Sequence, residues 1–205
     1  MRSQTANILG IPESSIKVIP LEIGGGFGGK TVTYLDPVVG MLSKKSGSPV
    51  KITMTRKEVF EGTGPTSGTY MRCKIGADKS GRITAADLYL VFESGAFPRS
   101  PVGGGAMSGL GPYKIDNLIV EGLDVVVNTQ KVAAYRAPGQ PQTAFAVEPV
   151  IDELAEKLGM DPIDFRILNS VHEGDRAPSG VPHLHFGCEE VEQAMKSPSL
   201  QHPSY

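Results

Sequence analysis

Between Leu21 and Thr31 the chain reads LEIGGGFGGKT, five glycines around one phenylalanine. A regular helix or central strand does not survive such a run, because glycine loses the most backbone entropy and offers nothing to pack. The segment is a loop, and its flanks decide what kind. Gly24, Gly29, Lys30 and Thr31 satisfy G-x-x-x-x-G-K-[ST], while Gly24, Gly26 and Gly29 satisfy G-x-G-x-x-G. Both patterns require a helix immediately afterwards, whose N-terminus holds the phosphate. The residues that follow, TVTYLDP, are poor helix formers closed by Pro37. The dinucleotide reading also needs an acid further on, where this chain has KSGSPVK. The P-loop reading needs a magnesium-binding strand, and the candidate LIVEGLDVV is interrupted by Gly122. A P-loop nucleotide-binding protein is the alternative reading. The favoured one is a loop whose unshielded amides cradle an anion or an oxo group. A tight turn with no ligand is the bland competitor.

The pattern elsewhere is α+β, a mixed β-sheet with flanking helices. A helix end at Thr5–Leu9 is stopped by Gly10 and Pro12. Strands are expected at Ile16–Ile23, where Ile16, Val18, Leu21 and Ile23 roughly alternate, and at Val50–Thr55. Asp36 as N-cap and Pro37 at the first helical position predict a helix through Lys45. Tyr70–Ile75 and Ile83–Phe92 flank GADKSGR, a hairpin with Gly81 at the turn, and Leu118–Val127 is a further strand. Phe145, Val147, Val150, Ile151, Leu154 and Leu158 have helical spacing, ended by Gly159. Asp161 caps and Pro162 opens the next helix, and a last one covers Glu189–Lys196. The division expected is a sheet-rich part, 1–135, and a helical part, 136–205.

Composition excludes several classes. The formal net charge is −2 with both signs interspersed, which argues against a nucleic-acid partner or a polybasic membrane segment. No apolar run approaches the ~20 residues of a membrane span, and the N-terminus lacks signal-peptide architecture, so a cytoplasmic protein is expected. Cys73 and Cys188 stand alone without a C-x-x-C, and read as reduced structural thiols. The 25 glycines and 16 prolines gather in shaped loops such as GTGPTSG and PVGGGAMSGLGP, candidates for a substrate funnel or for ordinary surface. His183 and His185 lie two apart beside Pro182 and read as a surface loop rather than a metal pair.

A second loop, AAYRAPGQPQ, holds Arg136 between a strand and a long helix, stiffened by Pro138, Gly139 and Pro141. An arginine held in this way offers fixed donors to an oxyanion, or else pairs with a carboxylate such as Glu148. Together, IGGGFGGK and the downstream AYRAPGQPQ…EPVIDELAEKLGMDP resemble the molybdenum-binding subunit of the xanthine dehydrogenase/aldehyde oxidase family. The resemblance runs from about Thr5 to Met195. It implies a molybdopterin-type cofactor, hydroxylation of a small molecule with water as oxygen source, and electron exit through [2Fe–2S] clusters to FAD on partner domains or subunits. Residues carried over are Gly25, Gly26, Phe27 and Gly28, whose backbone faces a molybdenum oxo ligand, and Arg136 with Ala137 beside the metal and pterin. Phe27 and Arg136 would touch the ligand sphere of the metal without ligating it through their side chains.

The departures narrow the substrate. Thr31 stands where purine-oxidising members keep a Glu, Gly104 where they keep an orienting Arg, and Pro138 where they keep a clamping Phe. Ala137 stands where carbon monoxide dehydrogenases keep a copper-binding Cys. The resemblance leaves an aldehyde, an N-heterocycle or an aryl-CoA thioester. The family's catalytic Glu would lie beyond Tyr205 and its Gln near the metal before the chain begins, Gln4 being too close to the loop. The expectation is therefore a piece of a longer subunit, truncated at both ends, that supplies part of a cofactor cradle and is inactive alone.

Overall fold

The structure is a computed structural model that describes residues 1–184 and 187–196. In chain order its helices and strands are α1 (Arg2–Leu9), α2 (Asp36–Ser46), α3 (Arg56–Gly62), β1 (Thr69–Ala77), β2 (Ile83–Gly95), α4 (Val102–Ser108), β3 (Asn117–Val126), α5 (Gln140–Leu158), α6 (Pro162–Asn169) and α7 (Cys188–Met195). The residues group into two compact units. One comprises Met1–Ser67, Ser94–Pro98 and Val126–Arg136; the other comprises Gly68–Glu93, Arg99–Val125 and the chain from Ala137 onward.

The second unit holds most of the sheet, of strand order β1-β2-β3. β1 and β2 form the expected antiparallel hairpin, with Thr69 opposite Phe92 and Cys73 opposite Leu88. Its turn is tied by Asp78, whose Oδ1 accepts from the amides of Ser80 and Arg82 and from the Ser80 hydroxyl. These bonds, the Ser80 hydroxyl first, hold the Asp78 carboxyl below the usual carboxylate range. β3 runs parallel to β2: Asn117 donates to Thr84 O at one end, and the Val127 amide donates to Gly95 O at the other. The sheet is mixed, as expected.

Alternation along β2 turns Ala86, Leu88, Leu90 and Phe92 to one face, all buried. Against them lies α5, whose Thr143, Val147, Ile151 and Ala155 recur every fourth residue and are all buried. Leu110, Tyr113 and Phe165 complete the core. Each fully buried Leu or Phe contributes about 1.5–3 kcal/mol. α4 reaches α5 because its glycines have no side chains. A Cβ on Gly109 would sit 2.2 Å from Thr143 Cγ2, and one on Gly105 2.5 Å from Thr143 Oγ1. PVGGGAMSGL is thus not a loop: Val102–Ser108 is a helix, and the glycines of the stretch permit close packing.

The α6 cap is as expected, with Asp161 Oδ1 accepting from the Ile163 and Asp164 amides. At its other end the buried Asn169 is satisfied on three sides. Its Nδ2 donates to Gly81 O and Phe165 O, and its Oδ1 accepts from the Ile83 amide. It pins the hairpin turn to α6.

In the first unit the structure corrects the reading. Neither Ile16–Ile23 nor Val50–Thr55 is a strand. Thr55 instead caps α3, which the sequence reading missed although Thr55-x-x-Glu58 is a capping box: Glu58 N donates to Thr55 Oγ1 at 3.2 Å, and Thr55 N to Glu58 Oε2 at 2.7 Å. The α2 helix forms as expected, but Leu35 is its N-cap and Asp36 lies inside the first turn. Phe145, assigned to the apolar face of α5, is 81% exposed; the buried stripe is set by Val147 and Ile151. No helix of the described residues is long and apolar enough to cross a membrane.

Two outcomes follow. Asn169→Ala strands three buried polar groups and lowers stability by about 3 kcal/mol; urea denaturation measures it, and a loss under about 1 kcal/mol would contradict the pinning. Cys73 and Cys188 are free thiols. Burial, then the Asp87 charge, pushes the Cys73 thiol up to about 11, so its reactive thiolate is scarce at every pH below that. At pH 8 Cys73 is alkylated about a hundredfold more slowly than free cysteine, as followed by mass spectrometry.

Candidate functional site

The glycine loop is closed by its own backbone. The Gly29 amide donates to Gly26 O at 2.8 Å and the Thr31 amide to Gly28 O at 3.1 Å. The Thr31 hydroxyl adds a 2.7 Å bond to the same Gly28 carbonyl. Lys30 folds back, its Nζ 2.8 Å from Ile23 O, so it points its charge at its own loop. No helix follows until Asp36. The two requirements of a P-loop, a helix opening at the lysine and a free ammonium, are both absent from this stretch, and that alternative is set aside.

Phe27 has φ 50° and Gly28 φ 99°, both in the left-handed region. An ordinary residue there costs roughly 1–2 kcal/mol. At Gly28 it is also blocked by space, since a Cβ would lie 2.7 Å from Ala134 O. That contact brings the loop against the segment Ala133–Arg136. The Arg136 amide then donates to Phe27 O at 3.1 Å. Arg136 (φ 37°) and Ala137 (φ 46°) are themselves left-handed. Of the four non-glycine residues with positive φ among those described, three are therefore Phe27, Arg136 and Ala137. Strain of this kind gathers at functional sites.

Among the described residues the amides of Gly25, Gly26, Phe27 and Gly28 donate to no protein acceptor, and the Arg136 guanidinium has no carboxylate partner. Glu148, weighed above as that partner, accepts from Tyr113 Oη and, at 2.7 Å, from Arg166. Arg166 also reaches Asp152 at 2.7 Å. Burial and the Glu148 charge push the Tyr113 phenol up. Burial opposes the Arg166 charge, but its bonds to Glu148 and Asp152 outweigh that and hold it on. Glu148 therefore ties α5 to α6 and to Tyr113 and is not the partner of Arg136. A partnerless guanidinium with unengaged amides on the same pair of loops is a donor set for an anion or a metal-oxo group, the chemistry an oxo-bearing cofactor requires.

The remaining site candidates lie in the second unit. Gly104 and Pro138 are in close contact: a Cβ on Gly104 would stand 2.7 Å from Pro138 O. Ala137 O accepts from the Gln140 amide at 3.0 Å, which starts α5. Gly139, φ 92°, fits against α4 where a Cβ would meet Pro101 O at 2.4 Å. Sequence reasoning named Gly139 only as a stiffener of its loop and passed over Ala134. Of the histidine pair, His183 donates its amide to Asp175 O at 2.8 Å in a surface turn, and His185 lies outside the described residues.

Comparison with known proteins gives the family and the fold. The molybdopterin cofactor-binding domain family matches residues 1–170. A probable xanthine dehydrogenase subunit of Bacillus subtilis is 35% identical over 86% of this chain and 24% of its own length. The nicotinate dehydrogenase large molybdopterin subunit of Eubacterium barkeri is 32% identical over 87% of this chain and 43% of its own. Among solved structures, the aldehyde oxidoreductase of Desulfovibrio gigas superposes with a TM-score of 0.88 at 28% identity, over 95% of this chain and 22% of that one. Quinoline 2-oxidoreductase of Pseudomonas putida does so with a TM-score of 0.87 at 28% identity, over 95% and 26%. The chain thus spans a quarter to two fifths of the length of these curated relatives. The chain belongs to the molybdopterin cofactor-binding domain family, that of the molybdenum-binding subunits of xanthine dehydrogenases and aldehyde oxidoreductases.

Proposed function

We propose that this chain supplies one part of the cofactor cradle of a molybdenum hydroxylase, an oxidoreductase. The observation that carries the reading is the Arg136–Phe27 backbone bond, which ties the loop of unengaged amides to a residue whose guanidinium has no carboxylate partner among the described residues. The residues that would hold the molybdopterin-type cofactor are Gly25, Gly26, Phe27, Gly28, Arg136 and Ala137. When bound, that group supplies two-electron oxidation at a carbon, with oxygen drawn from water. The amides of Gly26–Gly28 provide fixed donors to negative oxygen at no reorganisation cost. Arg136 provides a permanent positive charge with planar donor geometry. Left-handed Phe27 aims the neighbouring amides, and the tie to Arg136 keeps the two loops in register.

Substrate selection is assigned to Thr31 in the first unit and to Gly104 and Pro138 in the second. None of them offers the acid, base or aromatic face that a purine site uses, and the Thr31 hydroxyl is spent on Gly28 O. The class favoured is an aldehyde, an N-heterocycle or an aryl-CoA thioester. Nicotinate dehydrogenase, aldehyde oxidoreductase and quinoline oxidoreductase among the relatives fit it, whereas the xanthine dehydrogenase subunits and hypoxanthine oxidases do not, so the three departures carry the choice. Electrons leave to [2Fe–2S] and FAD partners, domains or subunits. The cytoplasm is the compartment assigned, with two free thiols in accord.

In the complete enzyme, Arg136→Ala lowers turnover by about a hundredfold, and Gly28→Ala lowers molybdenum per subunit by displacing the loop from Ala134. Elemental analysis and steady-state rates measure both; unchanged values in both variants would overturn the reading. Millimolar Mg·ATP leaves the melting temperature unmoved, where a P-loop site at a hundredfold excess over Kd would add about 2.7 kcal/mol.

A further inference from the structure

Lys30 and Thr31 complete a P-loop pattern that the fold does not use, yet both side chains are engaged within the loop itself. The second half of the loop is held by backbone, Gly29 donating to Gly26 O and Thr31 to Gly28 O. The first half is not. Among the described residues no backbone hydrogen bond reaches Ile23, Gly24 or Gly25. The bond from the Lys30 ammonium to Ile23 O, at 2.8 Å, is what joins this arm to the rest of the loop.

The stem of Lys30 adds to the tie. It lies across Gly26, where an added Cβ would stand 3.4 Å from Lys30 Cβ and 3.8 Å from both Lys30 Cδ and Ile23 Cδ1. The Phe27 ring covers Gly25 in the same way, 3.0 Å from an added Cβ there. Glycine at these two positions lets two side chains lie flat on the backbone they shape. Residues 24–29 are otherwise all glycine around Phe27, so the segment has the most backbone freedom to lose on ordering. Donors to an oxyanion act at no reorganisation cost only where they are ordered beforehand. A glycine has no side chain with which to hold itself, and the clamp must come from a neighbour with reach. An ammonium donating to a carbonyl makes a charge-assisted bond, roughly twice as strong as a neutral one. Among the described residues no carboxylate pairs with Lys30, so no acid draws it away from Ile23 O.

We infer that Lys30 is a positioning residue: its ammonium, bound to Ile23 O, closes the glycine loop and holds the Gly26–Gly28 amides in the shape that receives the cofactor. The role, which rests on the cofactor-cradle reading, needs no contact between the lysine and the cofactor. Lys30 acts through the loop, and its effect is present before any cofactor binds.

The test uses the complete molybdenum subunit that contains this chain, as the native protein, Lys30→Met and Lys30→Arg. Hydrogen exchange is measured on the cofactor-free subunit, and molybdenum per subunit after loading. Met keeps an apolar stem over Gly26 and removes the donor; Arg keeps a charged donor. In Lys30→Met the Gly29 and Thr31 amides exchange about tenfold faster, the hairpin amides of β1 and β2 keep their native rates, and molybdenum is lost. In Lys30→Arg loop exchange and molybdenum stay native. Native loop exchange in Lys30→Met overturns the inference, and loss of molybdenum in that case assigns the ammonium to the cofactor directly. A Lys30→Arg loop as open as that of Lys30→Met overturns it too, since a charged donor is then not what closes the loop. Faster exchange with native molybdenum in Lys30→Met, while Gly28→Ala loses its molybdenum, overturns the inference and leaves the cradle reading standing. Native molybdenum in Lys30→Met and Gly28→Ala alike, with native turnover in Arg136→Ala, overturns both.

Discussion

One backbone hydrogen bond, from the Arg136 amide to the Phe27 carbonyl, joins two loops that lie far apart in the sequence. Each loop alone is a tight turn of no particular consequence. Joined, they present a positive charge and a row of free amides on one scaffold. The bond forms only because both partners accept a left-handed backbone and because Gly28 has no side chain to push against Ala134. In the reading proposed above, what this segment of the fold contributes is loop chemistry. Function grafted on backbone donors in this manner tolerates wide variation elsewhere.

What the sequence disclosed follows from where the signals were local. The β1–β2 hairpin, the Asp161 cap and the α5 helix with Val147 and Ile151 on its buried face rest on turn chemistry, capping and periodicity, which act within a few residues. The failures are of two kinds. α4 was hidden because its glycines resemble loop residues, whereas they serve close packing on Thr143, a tertiary cause no short window contains. Ile16–Ile23 and Val50–Thr55 carry strand patterns but no pairing, because a strand needs a neighbour that propensity cannot provide. The Thr55 capping box was visible and was overridden by that strand pattern.

The site was legible to a different degree. Phe27 and Arg136 stood out through glycine and proline around them, and through a family resemblance. The tie between them, and the commitment of Glu148 to Arg166 and Tyr113, depend on spatial neighbours. Glu148 shows the difference well: one carboxylate near two arginines in sequence, with the choice made by which helix faces it. Arg166, on α6, wins because it also reaches Asp152 one turn further along α5.

The left-handed backbone at Phe27, Arg136 and Ala137 has a consequence for how such a protein tolerates change. Glycine would relieve each position at little cost to the folded chain. Selection for robustness alone would drift those residues toward glycine, and selection for chemistry would hold them back. Two mutational landscapes of this chain, one scored on persistence of the fold and one on turnover of the complete enzyme, therefore have opposite slopes at these three residues.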